Sequence, residues 1–197
     1  MKRTYILFSV LLFIGFFANA QFVQDVVNSI RLDSLERKVS ELSGEISSSI
    51  NGTIATITTR VQSNNDLAAE YIKDHFEALN NITMNDQSFN AGAGIGRNIV
   101  ATQLGTVNPN NIYLICAHYD SVAAFCADDN ATGTSAVLEI ARILSQYETQ
   151  NTIVYALWDQ EEIGLRGSNF YAEEASADGD NIIGVVNMDM MGYQNQA

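Results

Sequence analysis

Three short apolar runs, each followed at once by polar residues, dominate the hydrophobic pattern of this chain. Uninterrupted runs of this length are typical of strands that are buried on both faces of a sheet. In an open α/β sheet, ligands bind in the crevice outside the carboxyl ends of the strands. We therefore expect the polar residues behind the three runs to form one site. The runs cover residues 112–117, 153–158 and 182–188.

Elsewhere the apolar positions recur at helical spacing, with polar residues between them. This spacing predicts one or two amphipathic helices in residues 22–49 and a further helix over residues 134–147. It also predicts a helix over residues 67–79, capped by the Asn-Asn-Asp sequence of residues 64–66.

A glycine-rich segment, AGAGIG at residues 91–96, has to be compared with a phosphate-binding loop. It lacks the Lys-Ser/Thr ending of such loops, and the alternating residues 97–104 behind it predict a strand where a helix would be needed. We therefore predict a turn at 91–96, then a strand, and then a hairpin connection at residues 107–110 around the chain's single proline.

The first twenty residues have the composition of a secretory signal peptide. Two basic residues precede an apolar run over residues 5–17, and the small residues 18–20 (ANA) provide a cleavage site. A membrane-spanning helix is the alternative, but the run is short for one. We expect a mature chain that begins near Gln21 and is secreted or periplasmic.

Composition limits the partners. The formal net charge of −13 makes the chain a poor partner for nucleic acid or anionic lipid, so we expect neither a nucleic-acid partner nor stable membrane contact after signal cleavage. The length allows one domain. In an exported protein, Cys116 and Cys126 either form a disulfide or pack as two thiols, and we identify no base that would make either one a catalyst.

One imidazole and one carboxylate follow the first apolar run. His118 and Asp120 are two residues apart, so in extended chain they face the same side. We interpret His118 as a metal ligand and Asp120 as its orienting partner or a direct ligand, because a ligating imidazole usually donates its other N–H to such a group. A strand-end histidine with a solvated aspartate is the alternative. His75, beside Phe76 on a predicted helix, is expected to pack and not to bind metal.

Further acids stand at the other strand ends. Asp128 and Asp129 precede small residues and a helix, so they either cap that helix or hold a ligand. Glu161 and Glu162 follow the second run, where one can bind metal while the other acts as a base, or both are solvated. Asp189 follows the third run among methionines, where its burial would be costly without a partner or a metal.

Together these residues favour a metal site. Three strand ends supply carboxylates and one supplies the only well-placed histidine. Hard oxygen ligands together with imidazole suit Zn²⁺.

Four motifs, HYDS, ADDNATG, DQEEIGLRGS and NMDMMGY, occur in this order. As a set, and in their spacing, they resemble the M28 zinc aminopeptidases, which are co-catalytic di-zinc exopeptidases, from the helix at Leu67 to Gly192. The resemblance implies an α/β fold, a three-layer α/β/α sandwich around a mixed, largely parallel sheet. The expected parts are a signal peptide (1–20), an N-terminal helical segment (21–60) and the first part of the peptidase domain (61–197).

The same resemblance implies a role for each site residue. Glu161 would be the general base, Asp120 would orient His118, and the Asp129–Asn130 peptide bond would be cis. The enzyme would release amino-terminal residues from peptides or small proteins by hydrolysis, using water activated by two Zn²⁺ ions. The implied ligands are His118 and Asp189 for one ion, Glu162 for the second, and Asp129 as the bridge between them.

The chain departs from the family pattern in one respect. The family's second zinc takes a further histidine from a loop well downstream of the Asp189 strand, whereas the only other histidine here, His75, lies far upstream. We therefore expect the sequence to be the amino-terminal portion of a longer gene product. The alternatives are a mono-zinc glutaminyl cyclase, whose aspartate motif lacks the DDNATG pattern, a carboxypeptidase-like or amino-sugar-processing relative, and a non-catalytic binding domain.

Overall fold

The computed structural model describes residues 21–192. The predicted signal peptide over residues 1–20 lies outside the described residues and stays a prediction. Residues 21–28 are helical and belong to a compact unit that ends at Arg31. Across residues 21–192, no helix combines the length and apolar character needed to span a bilayer.

The second compact unit starts at Leu32 and alternates helices with strands. The helices predicted within residues 22–49 and over 67–79 and 134–147 are present, and all three apolar runs form strands. The helices are α1 (Leu32–Leu42), α2 (Asp66–Glu77), α3 (Gly133–Leu144) and α4 (Arg166–Asp178). The strands are β1 (Ser48–Ile50), β2 (Thr53–Ala55), β3 (Thr83–Asn90), β4 (Ile95–Gln103), β5 (Asn108–His118), β6 (Asn151–Trp158) and β7 (Asn181–Asn187).

Five of the strands form one mixed sheet in the order β3-β4-β6-β5-β7, while β1 and β2 form a separate antiparallel pair. β4 pairs antiparallel with both β3 and β6, and β5 runs parallel to both β6 and β7. Because parallel strands end at the same edge of a sheet, the residues that follow β5, β6 and β7 are brought together there.

Helices cover both faces of this sheet. On one face, the core contains Leu42 of α1, Ile72 of α2 and Val137 of α3. On the other face, Tyr171 of α4 packs against Trp158 of β6, with ring centroids 5.0 Å apart. The protein therefore has the expected α/β class, with a mixed sheet between flanking helices.

The predicted hairpin connection at residues 107–110 is wrong, because β6 lies between β4 and β5. The chain reaches β5 by pairing with the segment just before β6: the N–H groups of Thr106 and Asn108 donate to the carbonyls of Thr149 and Gln150, both at 2.8 Å. Local alternation cannot show that a strand from much later in the chain enters between two sequential ones.

β7 is the edge strand of the described sheet and is not buried as predicted. Ile183, Val185 and Val186 are all exposed. Within residues 21–192 the extensive contacts of β7 are with β5 alone. An apolar run predicts a strand, but it does not distinguish a central position in the sheet from a position at its edge.

Candidate metal centre

His118 is the last residue of β5 and is 4% exposed. Its Nδ1 lies 3.2 Å from the backbone oxygen of Asp120 and 3.4 Å from Asp120 Oδ1, so this nitrogen faces acceptors. Its Nε2 lies 3.2 Å from Asp129 Oδ1 and 3.5 Å from Asp189 Oδ1. Two separate segments therefore place carboxylate oxygens beside one imidazole nitrogen of a third segment.

The spacing of these atoms fits a shared cation. Tetrahedral Zn²⁺ with bonds of about 2.0–2.2 Å places neighbouring ligand atoms about 3.3–3.6 Å apart. The two distances from His118 Nε2 are close to that spacing. His118, Asp129 and Asp189 each offer one ligand atom within 4.8 Å of the others, and within residues 21–192 His118, Glu161 and Glu162 form a second such group.

The chemistry of the cluster also fits a metal. Glu162 Oε1 is buried, and no hydrogen-bond donor reaches it among the described residues. A buried carboxylate oxygen is costly unless a donor or a cation compensates it. The imidazole and carboxylate donors of this cluster are those that Zn²⁺ takes in proteins. We conclude that the residues present fit a zinc site.

The electrostatics point the same way. Burial lowers the pKa of His118, but its hydrogen bond to Asp120 and the charges of Asp120, Glu161 and Asp189 outweigh burial and raise that pKa to about 9. Burial is the main cause that raises the pKa of both Glu161 and Glu162, and neighbouring carboxylates add to it. The neighbouring carboxylates raise all three pKa values, and this part of each shift shows that the cluster attracts positive charge.

Asp120 contacts more than the imidazole. It is completely buried, and its Oδ1 and Oδ2 accept hydrogen bonds from the backbone N–H groups of Glu161 (3.1 Å) and Glu162 (3.2 Å). One carboxylate thus contacts His118 at the end of β5 and also holds the start of the loop that follows β6. Only the contact with His118 was predicted from the sequence.

Three consecutive polar residues of the turn Ala127–Thr132, which are Asp128, Asp129 and Asn130, make three different contacts. Asn130 Oδ1 accepts from the N–H of Gly133 at 2.9 Å and so caps the start of α3, whereas Asp128 Oδ1 accepts from the N–H of Gly192 at 2.8 Å. Asp129 directs its carboxylate to the imidazole, and the expected cis peptide bond between Asp129 and Asn130 is present. The sequence left two roles open for this segment, capping the helix or holding a ligand. Asn130 is the residue that caps the helix.

Asp189 is less buried than predicted. Its side chain is 47% exposed, and the neighbouring Met190 and Met191 are exposed as well. Within residues 21–192, the burial among methionines that would force a partner on Asp189 is therefore not observed. The distance of 3.5 Å to His118 Nε2 is what places Asp189 in the cluster.

The support beneath the two glutamates was not predicted from the sequence. Asp159, buried at the end of β6, accepts from Asn65 Nδ2 at 2.6 Å, from the N–H of Arg97 at 2.9 Å and from the N–H of Gln160 at 2.8 Å. Asn65 makes no side-chain cap to α2, so the predicted capping role is wrong for this residue. The one available signal was an acid directly behind a buried strand.

Both cysteines are free thiols. Cys116 Sγ lies 3.4 Å from Asn187 Oδ1, and Cys126 Sγ lies 3.4 Å from the carbonyl of Ala123. Of the two alternatives left open by the sequence, the structure therefore shows unbridged thiols.

A mixed sheet between helices, with imidazole and carboxylate donors gathered at the carboxyl edge of its parallel strands, defines a metal-binding protein of the α/β class. Comparison with protein families makes the assignment specific. The sequence model of peptidase family M28 matches residues 98–197, just over half of the chain. The chain belongs to this family.

Individual relatives agree with the family. A protein named "Probable zinc metalloprotease" from Pyrenophora tritici-repentis is 26% identical over 187 residues, which are 85% of this chain and 38% of that protein. The Legionella pneumophila LapA aminopeptidase superposes with a TM-score of 0.72 at 19% identity, over 90% of this chain and 48% of its own. A Bacteroides thetaiotaomicron glutaminyl cyclase superposes with a TM-score of 0.61 at 19% identity, over 84% and 64%.

At 19% identity, the two structural likenesses show the fold alone. The chain spans less than half the length of the curated relatives it matches.

Proposed function

We propose that the protein is a zinc-dependent aminopeptidase that hydrolyses the amino-terminal bond of peptides. The observation that carries the proposal is the position of His118 Nε2, which lies 3.2 Å from Asp129 and 3.5 Å from Asp189 in a member of peptidase family M28. These distances are those expected between ligands of one tetrahedral Zn²⁺.

The ligands divide between two ions. His118, Asp129 and Asp189 would hold the first Zn²⁺, and Glu162, with its unpartnered Oε1, would hold a second that shares Asp129. When bound, such ions lower the pKa of a water molecule and polarise the scissile carbonyl.

Glu161 is the proposed general base. Its Oε2 lies 4.0 Å from His118 Nε2, at the margin of the donor cluster, and the side chain is partly open to solvent. Burial raises its pKa, which favours uptake of a proton from the attacking water. The same carboxyl then passes that proton to the leaving amine. Asp120 holds the backbone N–H of Glu161 and so fixes where this base stands.

The negative charge of the cluster also supports an exopeptidase. Glu161, the carboxylate of the cluster that is not assigned as a zinc ligand, can attract a cationic group, and the free amino terminus of a peptide is such a group. A substrate with a blocked amino terminus lacks that attraction.

A glutaminyl cyclase-like enzyme is the second candidate, because a protein of that kind shares the fold. The complete DDNATG motif at residues 128–133 argues for the peptidase. A domain without catalytic activity would bind metal or peptide but would hydrolyse no substrate.

The test is hydrolysis of leucine p-nitroanilide by the complete protein, with N-acetyl-leucine p-nitroanilide as the matched control. We expect turnover of the free-amine substrate alone, its loss after treatment with a chelator, and its return with Zn²⁺. Equal cleavage of the blocked anilide, or activity that the chelator leaves unchanged, would contradict the proposal. Ammonia release from an amino-terminal glutamine peptide, without anilide hydrolysis, would favour the cyclase.

A further inference from the structure

A buried cation lies behind the donor cluster. Arg60 is 1% exposed and stands in the segment between β2 and α2, where the sequence shows no motif. Its guanidinium donates to backbone carbonyl groups from three parts of the chain. These are the carbonyls of Tyr119 (2.8 Å), Leu42 (2.5 Å), Cys126 (2.5 Å) and, at a longer distance, Asp129 (3.4 Å).

The carbonyls that Arg60 holds flank two residues of the metal centre. Tyr119 directly precedes Asp120, and the backbone oxygen of Arg60 accepts from the N–H of Ser121 at 3.1 Å, so both neighbours of Asp120 are fixed. Cys126 stands just before the turn that carries Asp129. A single residue therefore ties the segment after β5 to the aspartate turn.

The charge of Arg60 also acts on the cluster. Burial lowers the pKa of Arg60, and the opposing influences include the negative charges of Asp120, Asp129 and Glu162. A planar guanidinium with five N–H donors can bind several carbonyls at fixed angles, which the point charge of a lysine cannot reproduce.

We propose that Arg60 is a positioning residue of the metal centre: it holds the Asp129 turn at a fixed distance from the His118–Asp120 segment and thereby sets the affinity for zinc. The inference rests on the zinc site proposed above. A purely structural role is the competing explanation, because Leu42 is in the last turn of α1 and its carbonyl needs a donor. That role predicts lower stability with unchanged zinc affinity.

Lys38 provides a matched control. It is a second buried cation, 6% exposed, and like Arg60 it attaches α1 to the rest of the unit. Its Nζ contacts Ser34 within α1 and lies 3.1 Å from Glu139 Oε2 on α3, and neither partner belongs to the donor cluster. Replacing Lys38 should therefore weaken the attachment of α1 to α3 while leaving the hydrogen bonds between Arg60 and the segment that carries Asp129 in place.

The experiment compares Arg60→Met, Arg60→Lys and Lys38→Met in the full chain. Two quantities are measured: the free energy of unfolding of the metal-free protein in urea, and the Zn²⁺ dissociation constant by competition with a chromophoric chelator. We expect Arg60→Met to raise the dissociation constant about 10- to 100-fold, as loss of an outer support typically does, and Arg60→Lys to raise it less. Lys38→Met should lower stability yet stay within about twofold of wild type in zinc affinity.

Amide hydrogen exchange of the metal-free chain gives a readout that needs no zinc. Residues 126–130 should exchange faster in Arg60→Lys than in wild type or in Lys38→Met. If Arg60→Met does not fold, zinc affinity and hydrogen exchange are both measured on Arg60→Lys.

Zinc affinity within about twofold of wild type in the Arg60 variants would overturn the inference, and so would an equal loss of affinity in Lys38→Met. Both results leave the proposed function standing, because wild type would still bind zinc. A wild-type chain that binds no zinc would contradict the proposed function itself.

Discussion

The chain has two histidines, and the structure places them in opposite surroundings. His75 lies on α2, with its ring centroid 4.2 Å from that of Tyr71 and its Nδ1 2.9 Å from the Tyr71 carbonyl. Burial lowers its pKa. Burial also acts to lower the pKa of His118, but Asp120, Glu161 and Asp189 raise it to about 9.

The contacts of the two imidazoles distinguish a histidine that packs from one that can bind a metal. Both imidazoles are largely withdrawn from water, so burial does not distinguish them. The difference is that Asp129, Glu161 and Asp189, from three separate segments, direct carboxylates at Nε2 of His118, whereas the contacts of His75 come mainly from its own helix. Convergence of donors from distant parts of the chain is therefore what identifies a candidate ligand.

The largest effect is expected in a comparison of two single variants, in which one or the other histidine is replaced by glutamine. His118→Gln should abolish zinc binding, with a loss of affinity beyond the roughly 100-fold typical of an outer partner. His75→Gln should bind zinc as wild type does, since its ring lies on α2. Chelator competition measures both. Equal affinities in the two variants would remove the distinction between the histidines.

Glu161→Gln should separate chemistry from binding. Loss of a general base typically lowers kcat about 10²- to 10⁴-fold, while the zinc ligands remain in place. The measurements are anilide hydrolysis by the complete protein and zinc content by atomic absorption. Retained turnover would refute Glu161 as the base, and loss of zinc would make it a ligand instead.

Asp120→Asn tests the carboxylate that lies beside Nδ1 of His118. The amide keeps the shape but loses the charge and one acceptor for the N–H groups of Glu161 and Glu162, so zinc affinity should fall about 10- to 100-fold. Asp74→Asn is the control, because the charge of Asp74 acts on His75. Similar zinc affinities in the two variants would argue against the role assigned to Asp120.

The smallest effect concerns stability at acid pH. The folded pKa of His75 lies below its ordinary value, so below about pH 6.5 the unfolded chain binds a proton that the folded chain does not. The contribution of His75 to stability is therefore lost as pH falls from about 6.5 to its folded pKa. Below that pKa, His75 causes no further loss. Urea unfolding at several pH values should show a steeper acid loss in wild type than in His75→Gln. If stability changed with pH in the same way in wild type and His75→Gln, the role of His75 in acid destabilisation would be contradicted.

Much of the fold was predictable because burial leaves a pattern of apolar residues along the chain. The apolar runs that became β5 and β6 are continuous, and the spacing of α2 and α3 is helical. The order of strands was not predictable, since nothing in residues 97–118 shows that β6 enters between β4 and β5.

The candidate site shows a similar division. His118, Asp129 and Asp189 follow strands or precede a helix, and their motifs resemble a known family, so they could be named in advance. Arg60 acts through backbone carbonyls, and both Arg60 and Asp159 have partners that are distant in sequence. A lone arginine that binds carbonyls carries no local pattern, and only the folded chain shows what it touches.

The central claim is that three separate segments meet around one zinc ion. The most direct measurement is an anomalous difference map, recorded at the zinc absorption edge from crystals of the zinc-loaded protein. The account predicts a peak about 2.0–2.2 Å from His118 Nε2 and from carboxylate oxygens of Asp129 and Asp189. A zinc-loaded crystal with no peak between these three residues would contradict it.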